Sequence, residues 1–268
     1  MDHNKPDEAI EERVRNRYAE AAQRIAQGEP AGCGCGDSAT GCGCGPDWGD
    51  PITIGNYEAQ PLAELALTET ASLGCGNPTA LAELRLGDTV LDLGSGAGLD
   101  VLLAARQVGS GGHAYGVDMT DQMLELAHRN QQRSGIQNAT FLRGAIEQLP
   151  LADGSVDVVI SNCVINLARD KGAVLREAFR VLRPGGRLAV SDMVEVSPLD
   201  PATKASLDAW AGCVAGTIPV ESYRKALLQA GFENVRIDVE RSFTPADAGL
   251  ADGSGMIGSA AIRARKPA

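Results

Sequence analysis

The sequence predicts an α/β protein built on a doubly wound, mostly parallel sheet. Three observations carry this. Short β-type runs alternate with helical stretches five times between residues 89 and 194, as strands joined by crossover helices do. One run, SVDVVISNCV at 155–164, is apolar on both faces, which suits a central parallel strand. A glycine-rich turn, LGSGAG at 93–98, links the first run to its helix, at the end of the strands where open α/β sheets bind ligands.

Taken in order, residues 5–27 read as a helix, with Ile10, Val14, Tyr18, Ala21 and Ile25 close to one stripe. Segment 28–51, GEPAGCGCGDSATGCGCGPDWGDP, is rich in Gly, Cys, Asp and Pro and repeats Cys-Gly-Cys-Gly, a composition that does not hold regular structure. PLAELALTETA at 61–71 reads as a helix, SLGCGNP at 72–78 as a loop, and TALAEL as a short helix. TVLDLG at 89–94 is the first strand and LDVLLAARQVG its helix. GHAYGVDM at 112–119 is the second, followed by a helix from Thr120, whose hydroxyl suits an N-cap, to Arg133. ATFLRGA is the third strand and 155–164 the fourth. KGAVLREAFRVLRPGG is a helix ended by Pro184 and Gly185, and RLAVSDMV at 187–194 is the fifth strand. Beyond it, 198–217 is helical around Leu207–Val214, and ESYRKALLQAG is another helix. VRIDVE and MIGSAAIRARK are strands that close the far sheet edge. This divides the chain into a helix and Cys-rich N-terminal arm at 1–51, a ligand-binding core at 52–195, and a helical insertion with closing strands at 196–268.

Charge narrows the function. The 268 residues carry 24 Lys and Arg against 35 Asp and Glu, a net charge of −11, with only 4% aromatics. Nucleic acid and anionic membrane surfaces both favour a basic footprint, so neither is expected as a partner. No apolar run approaches the ~18 residues of a membrane span, and the first 20 residues lack a leader's apolar core. The expected location is cytoplasmic. There the seven cysteines read as thiols with chemistry rather than as structural bridges. His3, His113 and His128 form no recognisable arrangement with Ser or Cys for nucleophilic catalysis.

The turn holds Gly94, Gly96 and Gly98 as G-x-G-x-G, with Asp92 just before it in the strand. Asp118 ends the next strand, 20 residues after Gly98, where a carboxylate can take both hydroxyls of a ribose. The spacing differs from the dinucleotide pattern. A nucleoside that need not carry phosphate fits best, with a NAD site or an unliganded tight turn as alternatives.

VLDLGSGAGLD, Asp118 and RPGGRLAVSD together resemble class I S-adenosylmethionine (SAM) methyltransferases, over roughly residues 89–265. The resemblance implies a Rossmann-like domain with SAM as cofactor. Asp92 and the loop of Gly94, Ser95, Gly96 and Gly98 would pass its methionine part. Asp118 with Met119 would hold the ribose, and Ala145, Ile146 and Glu147 would flank the adenine. The fourth strand ends in Ser161–Asn162–Cys163, where the methyl faces its acceptor, and Asn162 is counted with the cofactor residues.

Three cysteines stand alone: Cys75, Cys163 and Cys213. Singly, each reads as a small buried hydrophobe. Their segments SLGCGNP, SNCVINL and AGCVAGTI resemble the three cysteine segments of arsenite methyltransferases. That resemblance implies that the three thiols bind arsenic(III). Cys163 and Cys213 would stay on the metalloid through the cycle, and Cys75 would be a ligand or disulfide former. Thioredoxin or glutathione would be the thiol reductant, and arsenite or its thiol conjugates the substrate. The chemistry is consistent: a soft trivalent centre prefers thiolates, and its exposed lone pair needs no general base. Cys33, Cys35, Cys42 and Cys44 are further candidate ligands. Arsenic capture, thiol exchange with Cys75, a zinc site and no role all stay open for them. RVRNRYAEAAQ at 13–23 resembles the opening helix of these enzymes, with Tyr18 in place of part of their Tyr-Tyr-Gly pattern; ligand contact and simple packing are both open. The expected function is SAM-dependent arsenite methylation for detoxification. The alternatives are methylation of a small organic molecule or quinone, and thiol-based sequestration.

Overall fold

The computed structural model describes residues 5–27, 74–247 and 254–268. Cys33, Cys35, Cys42 and Cys44, and the helix expected at 61–71, lie outside these residues.

The first helix, α1 (Lys5–Ala26), is followed among the described residues by the short α2 (Pro78–Leu81). Then β1 (Thr89–Leu93), α3 (Leu99–Val108), β2 (His113–Asp118), α4 (Asp121–Ser134) and β3 (Ala139–Arg143) alternate. β4 (Val156–Asn162) leads through a 3-10 turn (Ile165–Leu167) to α5 (Lys171–Val181) and β5 (Leu182–Ser197). The insertion forms α6 (Pro201–Ala205) and α7 (Leu207–Ala211), and α8 (Val220–Gln229), β6 (Glu233–Phe243) and β7 (Met256–Arg265) complete the chain. The strands form one seven-stranded sheet in the order β3-β2-β1-β4-β5-β7-β6. β1 to β5 are parallel, and β7 runs antiparallel between β5 and β6.

Alternation of side chains along each strand divides the core between the two faces. Val90, Val158 and Ile160 pack under α3 and α4 with Leu102, Ala105 and Phe141. Leu91, Leu93 and Val159 pack under α5 and α8 with Leu175, Tyr223 and Leu227. β4 is buried along its length except at Asn162, as its apolar run requires. Each fully buried Val, Leu or Ile contributes roughly 1.5–3 kcal/mol. A third apolar cluster, with Val14, Cys75, Cys163, Leu167, Met193, Cys213 and Ile257, ties α1 and the insertion to the sheet.

Some boundaries differ from expectation. α5 ends at Val181, and RPGG lies inside β5, which pairs Leu182 with Val156 before a register shift. The residue before a proline is driven to extended backbone, so Arg183 belongs to the strand. β4 stops at Asn162 because Cys163 turns into the left-handed region, φ +60°. The helical stretch at 198–217 is two short helices. Asp200 caps the first through Ala202 and Thr203 N–H, and Ser206 caps the second through Ala209 N–H. Thr120 is at the N-cap of α4 but makes no side-chain cap bond; its backbone N–H instead donates to Asp118.

Candidate active site

The carboxyl ends of β1, β2 and β4 open into a cavity of about 810 Å³. Asp92, Gly94, Ser95, Gly96, Asp118, Met119, Ala145, Ile146, Glu147 and Asn162, all expected at a cofactor site, line it together. Gly98 is the exception. It caps α3 in the left-handed conformation, φ +84°, and a Cβ there would strike the Phe141 ring at 2.6 Å. Its missing side chain lets α3 sit against β3 and does not face the cavity. Gly96 is different: a Cβ there would meet only Met123 Sδ, at 3.9 Å, and would otherwise stand in open cavity.

Asp118 organises the mouth. Its Oδ2 accepts from Gly96 N–H at 2.9 Å and its Oδ1 from Thr120 N–H at 2.8 Å. Burial raises its pKa, and these bonds oppose the rise. Burial, and then the neighbouring carboxylates of Asp100 and Asp118, push Asp92 well above the usual carboxylate range. Burial likewise raises Glu147. A cavity crowded with carboxylates is short of positive charge. A ligand carrying a sulfonium and an ammonium, with a ribose for Asp118, fits this donor set and the open space at Gly96.

The three separated cysteines meet just beyond. Cys75 and Cys163 form a disulfide with a Cα–Cα distance of 5.9 Å. Cys213 Sγ donates to the Cys163 carbonyl at 3.3 Å. All three are buried. Cys163 and Cys213 both have left-handed backbone, φ +60° and +62°, a strained state for non-glycine residues that surrounding contacts must hold. For Cys163, its N–H bonds Ser191 O at 2.8 Å. For Cys75, Arg241 Nη2 and Ser259 Oγ both bond its carbonyl at 2.8 Å. With Cys163 joined to Cys75, this state differs from the expected pairing of Cys163 with Cys213 on arsenic. Among the described residues no group of three His, Cys, Asp or Glu side chains has metal-holding geometry, and two of the three sulfurs here are bonded to each other.

Sequence reasoning undervalued several residues. Asn162 lines the cavity, but its Nδ2 donates to Gly76 O at 2.8 Å and its Oδ1 accepts from Gly76 N–H at 3.2 Å, so it clamps the Cys75 segment to the strand end. Ile10, Val14 and Tyr18 of α1 roof the cavity. The Tyr18 hydroxyl hydrogen-bonds the Cys213 thiol; burial first, and then that sulfur, raises its pKa well above the usual value. The helical stripe and the resemblance of residues 13–23 to the opening helix of arsenite methyltransferases were the signals for these contacts. Arg13 ties α1 to the insertion by two bonds to Asp208, at 2.9 and 2.6 Å.

A methyltransferase-domain family profile matches residues 84–236. The arsenite methyltransferase of Halobacterium salinarum is 46% identical over 218 residues, 79% of this chain and 55% of that protein. The arsenite methyltransferase of Aquipseudomonas alcaligenes is 38% identical over 67% of this chain and 53% of its own length. The chain thus spans about half the length of these curated relatives. The crystal structure of an arsenic(III) S-adenosylmethionine methyltransferase from Chlamydomonas reinhardtii superposes with a TM-score of 0.68 at 33% identity, covering 79% of this chain and 75% of that one.

Proposed function

Because the chain belongs to the arsenite methyltransferase family of class I methyltransferase domains, we propose that it methylates trivalent arsenic held on its own thiols. The observation that carries this reading is the meeting of Cys75, Cys163 and Cys213 beside a carboxylate-lined cavity at the sheet's ligand-binding end. A methyltransferase for a quinone or another small organic acceptor gives no reason for three distant cysteines to converge there.

Asp118 would hold the ribose of SAM. Asp92 and the Gly94–Gly96 turn would take its methionine part, and Ala145, Ile146 and Glu147 its adenine. When bound, SAM supplies an electrophilic methyl carbon. In the reduced protein, the thiols of Cys163 and Cys213, with Cys75 as a third, displace hydroxide from arsenite. Each thiol proton leaves with a hydroxide as water. Thiolate ligation leaves the arsenic lone pair free, and the apolar cluster around the cysteines excludes water from it. The left-handed turns at Cys163 and Cys213 set the directions of the two side chains, and much of the rate would come from aligning their sulfurs on one arsenic. Tyr18 stands between the cavity and Cys213 and keeps the thiol oriented.

Methyl transfer leaves arsenic formally pentavalent. Two of the three sulfurs then leave arsenic together as a disulfide, the electron pair they release returns arsenic to the trivalent state, and water takes the vacated position with loss of a proton. We assign this step to Cys75 and Cys163. Two equivalents of a small thiol such as glutathione, or a thioredoxin-type dithiol, would reopen the bridge by exchange and end as a disulfide themselves. Such cycling suits a reducing, cytoplasmic compartment. None of the helices in the described residues is long and apolar enough to cross a membrane.

The test gives purified reduced protein arsenite and methyl-labelled SAM, with and without glutathione, and separates the arsenic species. Labelled methylarsenicals are expected, limited to about one turnover without the thiol, with a Cys75–Cys163 bridge detected by peptide mass mapping. Absence of any methylarsenical under reducing conditions, or label passing only to a quinone acceptor, overturns the reading.

A further inference from the structure

The turn after β4 contains a buried polar assembly that the chemistry above does not use. At its centre Asn166 is completely buried and gripped on three sides. Its backbone N–H donates to the Asp192 carboxylate. Its carbonyl accepts from Lys171 Nζ at 3.1 Å, and the same ammonium bonds Ala168 O at 2.9 Å. Its side-chain Nδ2 donates to the Cys213 carbonyl at 2.6 Å. A second stitch runs beside it, from Trp210 Nε1 to Leu167 O at 3.0 Å. Lys171 Nζ lies 5.5 Å from the centre of the Trp210 ring.

We infer that Asn166, anchored by Lys171 and Asp192, is a positioning residue that sets the spacing of Cys163 and Cys213 and thereby the affinity of the thiol site for trivalent arsenic. The inference rests on the functional reading above. Asn166 follows Cys163 by three residues on the same turn, and its amide holds the peptide of Cys213, so one residue bridges the two strained backbones. The fit is close: a Cβ on Gly216 would meet the Asn166 carbonyl at 2.2 Å. Asn166 Oδ1 is buried without a hydrogen-bond partner, a cost an apolar residue would avoid. The bond to Cys213 is what offsets it.

Lys171 and Asp192 give this residue a fixed base. Asp192 is fully buried in β5 and also accepts from Met193 N–H at 2.9 Å and the Tyr223 hydroxyl at 3.1 Å. Burial pulls Lys171 down to about 8 and pushes Asp192 up to about 7, and each charge partly restores the other. Two charges kept in a core are costly. Their shared contact is the backbone of Asn166. None of the three residues lines the cofactor cavity, so their effect should fall on arsenic and spare SAM.

The experiment uses the full chain with all thiols reduced. Arsenite binding, SAM binding by calorimetry, and melting temperature are measured for wild type, Asn166→Leu, and the charge-neutral pair Lys171→Met with Asp192→Asn. The pair guards against a fold lost to an isolated buried charge. Both variants are expected to bind arsenite about tenfold more weakly, the effect of losing a hydrogen bond of roughly average strength or better, with SAM affinity within about twofold of wild type. The KM for arsenite should rise more than kcat falls. Arsenite affinity unchanged in both variants, or arsenite and SAM weakened alike, overturns the inference. If wild type binds arsenite but never methylates it, the functional reading fails, and the binding comparison still decides this one. If wild type does not bind arsenite, both fall.

Discussion

The cofactor cavity and the thiol site share a wall, but they are built in opposite ways. The cavity's expected cofactor carboxylates, Asp92, Asp118 and Glu147, come from residues 92–147, at or just beyond successive strand ends, and its turn is closed by near neighbours such as Ser95 O accepting from Gly98 N–H at 2.9 Å. The thiol site draws Cys75, Cys163 and Cys213 from three distant stretches. It is held by bonds from Arg241 and Ser259 to the Cys75 carbonyl and from Asn166 to the Cys213 carbonyl. One site is polar and acidic, and the other lies in an apolar cluster. A locally closed turn keeps its shape wherever the sheet forms. A site assembled from remote segments depends on every contact that brings them together, so it is the more easily disturbed from a distance. Asn162 joins the two, since it lines the cavity and grips the segment of Cys75.

The comparison can be broken by variants that ought to damage one site alone. The largest effect is expected from Cys213→Ser or Cys163→Ser. Each should lower arsenite methylation at least about 100-fold, the scale of losing a reacting-group alignment, while calorimetry shows unchanged SAM affinity. Full activity in either removes that cysteine from the proposed ligand set. Next is Asp118→Ala, which should weaken SAM binding roughly 10- to 100-fold through loss of a charged acceptor and leave arsenite binding by the reduced protein intact. A matching loss of arsenite affinity would show that the two sites are not separable.

The smallest effect concerns stability and sharpens the account of the thiol site's base. Burial raises Asp192 from 3.8 to about 7 in the folded protein. Stability from an acid raised in this way is fully present below its unfolded pKa and is lost as pH climbs through the folded one. The loss for Asp192 should be on the order of 2–4 kcal/mol between about pH 4 and pH 7. Asp192→Asn stays neutral, so its melting temperature relative to wild type should rise across that window and level off above it. Calorimetric scans showing a flat difference would mean that Asp192 does not ionise within the core.

Much of the fold was legible because its signals are local. Alternating apolar runs, the doubly apolar β4 and the Gly94–Gly98 turn each report on their own few residues. Boundaries suffered where two local rules competed. RPGG reads as a helix stop, yet Pro184 equally suits an extended Arg183, and pairing with Val156 decided for the strand. Gly98 shows the same limit: its spacing marked it for the cofactor, whereas contact with Phe141 explains it.

The sequence by itself determined the mostly parallel sheet, its alternation of strands and helices, and the acid and glycine positions at the strand ends, because side-chain period and turn chemistry act over a few residues. The resemblance of three short cysteine segments pointed to the metalloid but not to their mutual geometry. Only the tertiary structure decided that Cys75 bonds Cys163, that Tyr18 reaches Cys213, and that Lys171 and Asp192 hold Asn166 between the two strained cysteines. Apart from Lys171 and Asn166, five positions apart, those contacts join residues tens of positions apart, and no periodicity in a chain records which distant groups the packing of a sheet will bring face to face.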